Sequence, residues 1–279
     1  MKFVRFGPKG EERPGVLVDD GTILDISTLV ADIGPGTVGG LGEIAGRIDP
    51  SVLPRVDVSG VRLGSPVARP HKILGIGLNY VDHASEAAMD VPAEPIVFQK
   101  ATSSLSGPYD DILIPPGAEK LDYEVELGVV IGATARYLGS VDEAREVIAG
   151  YTIAHDVSER SHQLERSGQW TKGKSADTFS PLGPWLVTPD EVPDPGDLHI
   201  ECRVNGAVRQ RSRTSNMLFS VTHIIWHLSQ FMTLEPGDVI MTGTPPGVAL
   251  STGEYLREGD VVELEIEGLG LQRQVCRRT

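Results

Sequence analysis

Residues 121–132 read LDYEVELGVVIG, and this stretch combines the pattern of a buried β-strand with two acidic side chains. Glu124 and Glu126 stand two residues apart, and the apolar run 127–131 follows them. Because residues i and i+2 of a strand point to the same side, the sequence predicts both carboxylates on one face of a strand. Two like charges held in this way need a counter-ion, although an exposed strand with two solvated glutamates has the same pattern.

The composition is that of an acidic globular protein. The chain has 279 residues, of which 40% are hydrophobic, and 25 basic against 39 acidic residues give a formal charge of −14. This length supports one large domain, or one large and one small domain, and the charge argues against a nucleic-acid partner. The first residues, MKFVRFGPKGEERPG, lack a signal-peptide core, and no apolar stretch approaches the ~20 residues of a membrane span. We therefore expect a cytoplasmic protein that binds neither nucleic acid nor membrane.

The two cysteines are far apart in the sequence. Neither Cys202 nor Cys276 belongs to a CxxC pair, and cytosolic disulfides are rare. Two buried free thiols are therefore expected in preference to a disulfide or a zinc site.

The pattern of turns and apolar runs predicts a β-rich, mixed α/β fold. Asp20-Gly21 is placed to turn a hairpin within GVLVDDGTILDIS, and a short helix is predicted at LGEIAGRI. A longer helix is predicted in SVTHIIWHLSQFMTL behind the N-cap Ser220. The stretch GVRLGSPVARPHK has the composition of a linker, so a small N-terminal β-containing domain is predicted at 1–66 and a larger domain at 67–279.

Three carboxylates form a candidate metal site. Asp156 ends the predicted strand GYTIAHD, and with Glu124 and Glu126 it would supply three oxygen ligands from two neighbouring strands. Such ligands suit Mg²⁺, Mn²⁺ or Ca²⁺ better than zinc and would leave coordination positions for substrate and water. His155 should face the other way along its strand, as a packed or hydrogen-bonded histidine.

Other local patterns compete as candidate sites. Gly75 and Gly77 resemble the start of a dinucleotide fingerprint, but the third glycine and a βαβ unit are missing. His83 and Glu86 are spaced to share a helix face, either as a general-base pair or as a solvated surface. His223 and His227 have helical spacing too; they lack the glutamate of the HExxH zinc-protease pattern.

Several segments together resemble the fumarylacetoacetate hydrolase family, in its prokaryotic branch of small diketo-acid hydrolases and acylpyruvase-like enzymes. They are DYEVELGVVIG, GYTIAHDVSER, GQWTKGKSADTFSPLGPWLVTPDEVPDP and LEPGDVIMTGTPPGV. The resemblance covers about residues 70–270. It implies a β-roll or barrel around a divalent metal, and usually a homodimer.

The resemblance also implies roles for individual residues. The metal ligands that it implies are Glu124, Glu126 and Asp156. The catalytic residues that it implies are His83 and Glu86 on a lid, and the active-site Lys174. The substrate-binding residues that it implies are Arg160, Gln163 and Thr244, of which Thr244 contacts the carboxylate end of the substrate. Two departures from the family pattern are His155, where many members have Asn, and Ala101 after Lys100, where many have Pro.

The leading hypothesis is a Mg²⁺- or Mn²⁺-dependent hydrolase that cleaves a C–C bond of an acylpyruvate-type keto acid, with water activated by His83 and Glu86. A decarboxylase of a β-keto acid such as oxaloacetate, or an isomerase of a hydroxymuconate-like compound, remains open on the same scaffold, because the fold does not choose the reaction. A non-catalytic binding protein and a nicotinamide-dependent oxidoreductase are further alternatives.

Overall fold

The computed structural model describes residues 1–19, 21–81 and 92–279, and its class is the predicted β-rich, mixed α/β fold. Asp20, His83 and Glu86 therefore lie outside the described residues. The strands are β1 (Lys2–Phe6), β2 (Arg13–Asp19), β3 (Thr22–Asp25), β4 (Arg55–Asp57), β5 (Ile73–Gly77), β6 (Ile96–Lys100), β7 (Leu105–Ser106), β8 (Ile112–Ile114), β9 (Leu121–Asp122), β10 (Val125–Ile131), β11 (Ile148–His155), β12 (Ser158–Glu159), β13 (Ser180–Val187), β14 (His199–Val204), β15 (Ala207–Arg213), β16 (Val239–Met241), β17 (Val261–Ile266) and β18 (Gly270–Arg278).

The helices of the described residues are short. The α-helices are α1 (Leu41–Ala45), α2 (Thr171–Lys174), α3 (Val221–Ser229) and α4 (Ala249–Thr252). The 3₁₀-helices are Val38–Gly40, Val58–Gly60, Thr102–Ser104, Asp142–Val147, Pro189–Glu191 and Thr214–Asn216, and a π-helix spans Ser161–Glu165. None of the described helices is long and apolar enough to cross a bilayer.

The larger sheet has β10 near its middle. Its strand order is β4-β3-β2-β1-β13-β11-β10-β16-β5-β6, and β7 pairs with β13. All seven residues of β10 are buried, as expected for a near-continuous apolar strand covered on both faces. Its antiparallel neighbours are β11, where Val125 lies opposite His155, and β16. The acidic end of β10 thus lies in the protein interior.

A second sheet, β15-β14-β17-β18-β8, packs against the first. Apolar side chains of both sheets, such as Ile153 of β11 and Leu264 of β17, share one buried cluster. The path of neither sheet closes among the described strands. The fold is therefore an open arrangement of packed sheets and not a closed barrel.

The first strands belong to the larger sheet. β1 pairs with β2 on one side and with β13 on the other, where Phe3 lies opposite Leu186. One buried cluster contains Phe3, Val16 and Leu186 together with Val130 of β10. The core of the N-terminal strands is therefore continuous with that of the sheet, and a domain boundary near residue 66 stays a prediction.

Local predictions from the sequence are confirmed. The hydroxyl oxygen of Ser220 accepts from the His223 N–H at 3.3 Å and caps α3, and β2 and β3 form the predicted hairpin. Cys202 and Cys276 are buried free thiols. Gly75 and Gly77 lie in β5, which is an antiparallel neighbour of β6, the next strand in the chain, so they do not open a βαβ unit.

Buried glutamines join the two sheets. The Gln272 side-chain nitrogen of β18 donates to the Ile153 carbonyl at 2.8 Å and to the Gly183 carbonyl at 3.0 Å. The neighbouring Gln274 donates to the oxygen of Gln272 at 3.0 Å. These amides occupy the apolar interface between the sheets with their hydrogen bonds made, which is the condition for burying them without a large penalty.

Gln272→Met should lower the free energy of unfolding by about 1–3 kcal/mol, because the thioether fills the space but leaves buried carbonyls without a donor. Urea-induced unfolding measures the difference. Gln99→Met, at an exposed position of β6, is the control and should change stability by less than ~0.5 kcal/mol. Equal stability of the Gln272 variant and the parent would show that the amide link contributes nothing.

Candidate metal centre and active site

The three predicted metal-binding carboxylates converge. Glu126 lies in β10, Glu124 lies one residue before that strand begins, and Asp156 follows the last residue of β11. The Asp156 N–H donates to the Glu124 carbonyl at 3.0 Å, which continues the pairing of the two strands past their ends. Their ligating oxygens all lie within 4.8 Å of one another, and each side chain is buried. The prediction from strand alternation therefore found the cluster, although Glu124 itself lies just outside the strand.

Lys174 bridges two of these carboxylates. Its ammonium nitrogen lies 2.7 Å from Glu124 Oε2 and 2.6 Å from Asp156 Oδ2. It also lies 5.0 Å from the centre of the Phe98 ring, in cation–π geometry. A Cβ at Gly173 would lie 2.5 Å from the Glu159 carbonyl oxygen, so glycine is required at the point where α2 packs against β12. Lys174 is thus a counter-ion for Glu124 and Asp156, and Glu126 forms no ion pair with it.

Lys100, at the end of β6, is a member of the cluster to which the sequence patterns assigned no role. Its ammonium forms an ion pair with Asp156 Oδ1 and donates to the Val157 carbonyl at 3.2 Å. The side chain is fully buried. Both oxygens of Asp156 therefore meet an ammonium group, Lys100 on one and Lys174 on the other. The sequence signal was a lysine closing a mostly apolar strand.

Arg160 joins the cluster to a fourth carboxylate, Asp122. Its guanidinium donates through Nε to Asp122 Oδ2 at 2.7 Å, through Nη1 to Gln163 Oε1 at 2.8 Å, and through Nη2 to Glu124 Oε1. Asp122 also accepts from the Ala249 N–H at 2.6 Å, at the start of α4. Arg160 thus lies beside the acidic cluster and fixes the orientation of Glu124, and Gln163 in turn contacts Arg160; that these two residues bind substrate stays a prediction.

The backbone segment that follows β16 donates a hydrogen bond to Glu126. The Gly243 N–H donates to Glu126 Oε2 at 2.6 Å, from a backbone with φ of +101° that favours glycine. The Thr244 hydroxyl donates to the Val125 carbonyl at 2.9 Å and accepts from Gln210 at 2.8 Å. Its hydroxyl hydrogen is therefore engaged within the protein, and a contact from this hydroxyl hydrogen to a substrate carboxylate would require it to rotate.

The cluster separates the pKa values of its carboxyl groups. Burial raises the pKa of Glu124, but Lys174 and Arg160 outweigh it and lower that pKa to about 2. Burial, together with the charges of Asp156 and Glu124, raises the pKa of Glu126 well above its usual range. Burial and the Lys174 charge lower the pKa of Lys100 to about 8, against the opposing effect of Asp156. Glu126 is the carboxylate whose charge is least compensated.

The donor set fits a hard divalent cation. All three candidate ligands offer carboxylate oxygens, which suit Mg²⁺, Mn²⁺ or Ca²⁺. Among the residues that the structure describes, Glu126 forms no ion pair with a cationic side chain, and its carboxylate accepts from the backbone of Gly243. A divalent cation at this position would supply the charge compensation that Glu126 lacks.

His155 and the helix histidines lie apart from this donor set. Gln274 donates both its amide hydrogens elsewhere, so its oxygen accepts from His155 Nδ1 at 3.1 Å. The ring of His155 is fully buried, which with this hydrogen bond confirms a packed, hydrogen-bonded histidine, and burial lowers its pKa to about 3. His223 and His227 have parallel rings with centres 6.4 Å apart on α3.

A cavity of about 710 Å³ lies away from the acidic cluster. Tyr151, Met217, Phe219 and His223 contribute to its wall, and none of the predicted site residues within the described part of the chain lines it. Cavity size alone therefore does not identify the active site, and the buried ionisable cluster is the stronger marker.

Comparison with known proteins agrees with this geometry. Residues 72–276 match the profile of the family described as "Fumarylacetoacetate (FAA) hydrolase C-terminal". A protein from Burkholderia multivorans, provisionally named a hydrolase, is 52% identical over 283 aligned residues, 99% of each chain. The chain belongs to the fumarylacetoacetate hydrolase family, a family of enzymes that includes hydrolases and isomerases.

Solved structures share the fold over the whole chain. Maleylpyruvate hydrolase from Sphingobium sp. SYK-6, in complex with manganese(II) ion and pyruvate, is 29% identical with a TM-score of 0.84, covering 100% of this chain and 99% of that one. A 2-hydroxyhepta-2,4-diene-1,7-dioate isomerase from Mycobacterium marinum is 33% identical with a TM-score of 0.78, at the same coverage. The family resemblance predicted from the sequence motifs is confirmed.

Glu126→Gln should weaken Mn²⁺ binding by about 10-fold or more, since loss of even an indirect partner of a metal ligand typically costs 10–100-fold. The metal-free variant should stay folded, because a neutral amide replaces a poorly compensated buried carboxylate. Calorimetric titration with Mn²⁺ after chelation measures the affinity. Glu235→Gln, at a half-exposed ion pair with Lys72, is the control. Parent-like Mn²⁺ affinity in the Glu126 variant would remove it from the ligand set.

Lys174→Met should lower the free energy of unfolding of the metal-free protein by about 3–5 kcal/mol, because two buried carboxylates lose their shared ammonium. Mn²⁺ should recover part of this loss by supplying positive charge at the same place. Chemical unfolding with a chelator and with Mn²⁺ tests both statements. Lys172→Met in α2 should be nearly neutral, because this exposed ammonium donates to the Arg166 carbonyl at 3.1 Å and to no carboxylate among the described residues. A loss that Mn²⁺ leaves unchanged would contradict the counter-ion role.

Proposed function

We propose that the protein is a divalent-metal-dependent hydrolase that cleaves a carbon–carbon bond of an acylpyruvate-type (2,4-diketo acid) substrate. We further propose that it works as a homodimer in the cytoplasm. The observation that carries the proposal is the buried carboxylate cluster, with Lys174 on two of its three candidate ligands. The similar structure of a maleylpyruvate hydrolase, with manganese and pyruvate bound, supports it, because pyruvate is the product that cleavage of an acylpyruvate releases.

The charge of the cluster favours an anionic substrate. Among the described residues, the carboxylates of the cluster are Asp122, Glu124, Glu126 and Asp156, and its cations are Lys100, Arg160 and Lys174. The fully ionised cluster has one excess negative charge, which a divalent cation would convert into one excess positive charge. A bound α-keto acid with a single negative charge would neutralise this excess positive charge. Buried charges are tolerated when they are paired in this way.

The role assigned to Lys174 follows from its contacts, and the roles assigned to His83 and Glu86 follow from the family resemblance of the sequence. A bound divalent cation would supply a Lewis acid for the carboxylate and keto oxygens of the substrate. Lys174 uses two of its three N–H bonds on carboxylates, which leaves one for an oxygen that gains negative charge. We assign His83, oriented by Glu86, as the base that takes a proton from water. The water oxygen then bonds to the distal carbonyl carbon, the C–C bond breaks, and the carbon that keeps the electron pair takes up a proton to give pyruvate.

An isomerase is the second candidate, because a 2-hydroxyhepta-2,4-diene-1,7-dioate isomerase is among the similar structures. Isomerisation needs enolisation and proton transfer between carbons, without attack by water. Purified protein with Mg²⁺ or Mn²⁺ should therefore be assayed against acetylpyruvate, fumarylpyruvate, oxaloacetate and a hydroxymuconate. Pyruvate release from an acylpyruvate, abolished by a chelator and restored by metal, is the expected result. Turnover of the hydroxymuconate alone would favour the isomerase, and that of oxaloacetate alone a decarboxylase.

His83→Ala should reduce acylpyruvate cleavage by a factor on the order of 10²–10⁴, the usual contribution of a positioned general base. Any oxaloacetate decarboxylation should fall much less, because loss of CO₂ needs no activated water. Both rates should be measured at saturating Mg²⁺, with oxalate binding to confirm an intact site. His71→Ala, at an exposed histidine before β5, is the control. Equal losses in both reactions would show that His83 shapes the pocket and does not activate water.

A further inference from the structure

Tyr80 carries a buried hydroxyl group to which the described residues offer no hydrogen-bond partner. Its side chain is 0% exposed, and the hydroxyl makes no hydrogen bond to any part of the chain that the structure describes. Buried tyrosine hydroxyls usually have a partner, because an unpaired polar group in a protein interior is unfavourable. An orphaned donor in an enzyme interior therefore calls for an explanation.

The residue before Tyr80 contacts the segment that donates to Glu126 at the metal-binding end of β10. The preceding Asn79 donates to the Thr242 carbonyl at 2.7 Å, and a Cβ on Gly243 would lie 2.7 Å from the Asn79 Cβ. Gly243 is the residue whose N–H holds Glu126. Asn79, the residue before Tyr80, therefore packs directly against Gly243, and Gly243 orients the candidate metal ligand Glu126.

The electrostatic surroundings keep the Tyr80 hydroxyl protonated. Burial, and after it the negative charge of Glu126, raise the pKa of Tyr80 far above its ordinary value. The group is therefore a neutral donor at physiological pH, near enough to Glu126 to feel its charge but not hydrogen-bonded to it. A neutral donor at the edge of an anionic cluster is suited to an anionic oxygen brought by a ligand.

We infer that the Tyr80 hydroxyl donates a hydrogen bond to an oxygen of an α-keto acid bound over the Glu124–Glu126–Asp156 cluster. Tyr80 is then a substrate-binding residue, and its hydroxyl has no acceptor among the described residues because the acceptor arrives with the ligand. This inference rests on the proposed function, since it requires a keto-acid ligand at the metal site.

Tyr80→Phe should have opposite effects on stability and on ligand binding. Removing an unpaired buried hydroxyl should leave the thermal unfolding temperature of the ligand-free protein unchanged or raised. Pyruvate and oxalate, titrated by calorimetry in saturating Mn²⁺, should bind about 10-fold more weakly, the equivalent of one hydrogen bond to a charged oxygen. The affinity for Mn²⁺ alone should match the parent, which separates a substrate contact from a role in holding the metal.

Tyr123→Phe is the matched control. Tyr123 is equally buried, but its hydroxyl donates to the Gly247 carbonyl at 3.1 Å. That variant should lose stability and keep the parent affinity for pyruvate.

The outcomes separate this inference from the proposed function. If the parent binds pyruvate and oxalate and Tyr80→Phe binds them equally well, the Tyr80 inference is overturned and the proposed function stands. A drop in the stability of ligand-free Tyr80→Phe would also overturn it, by showing that the hydroxyl has a partner in the free protein. If the parent with Mn²⁺ binds neither pyruvate nor oxalate, the proposed function fails and the inference fails with it.

Discussion

The structure depends on the burial of a network of charges at the ends of β10 and β11, two neighbouring strands of its larger sheet. Glu124 and Asp156 are each held by cationic side chains, and these cations come from segments far apart in the sequence: Lys100 ends β6, Arg160 precedes the π-helix and Lys174 ends α2. Removing one partner from such a network leaves an uncompensated charge away from water, which is far costlier than loss of a surface ion pair. The strands and the loops around them are therefore constrained to meet at this point.

The loops that reach the network are shaped by close backbone approach. Without a side chain, Gly173 lets α2 lie against the Glu159 carbonyl, and Gly243 lets the segment after β16 lie against Asn79. Each of these glycines neighbours a residue of the site, Lys174 in one case and Thr244 in the other. The small residues of these two motifs are thus part of the geometry that positions the charged groups, because a Cβ at either position would push the loop away from the strands.

Sequence reasoning found the carboxylates because the periodicity of strands is local. Alternation placed Glu124 and Glu126 together, and Asp156 was recognisable at the end of an apolar run. Lys100 was overlooked as a partner of Asp156, since the pairing joins residues 56 positions apart and depends on the order of strands in the sheet. Asp122 could have been found by extending the same alternation by two residues. Sequence reasoning could not predict that the sheets stay open, because this depends on which strands pair with each other, and a single sequence does not show that pairing.

The pairing of β1 with β13 has a consequence for how the chain folds as it is synthesised. Phe3 lies opposite Leu186, so β1 acquires this neighbour only after the residues between the two strands have been made. Contacts between residues so distant in sequence close large loops and slow folding. Until then the hairpin of β1 and β2 has an unpaired edge and exposes Phe3 to the solvent or to a chaperone. Protection of this edge during translation, more than the stability of the finished sheet, would limit the yield of folded protein.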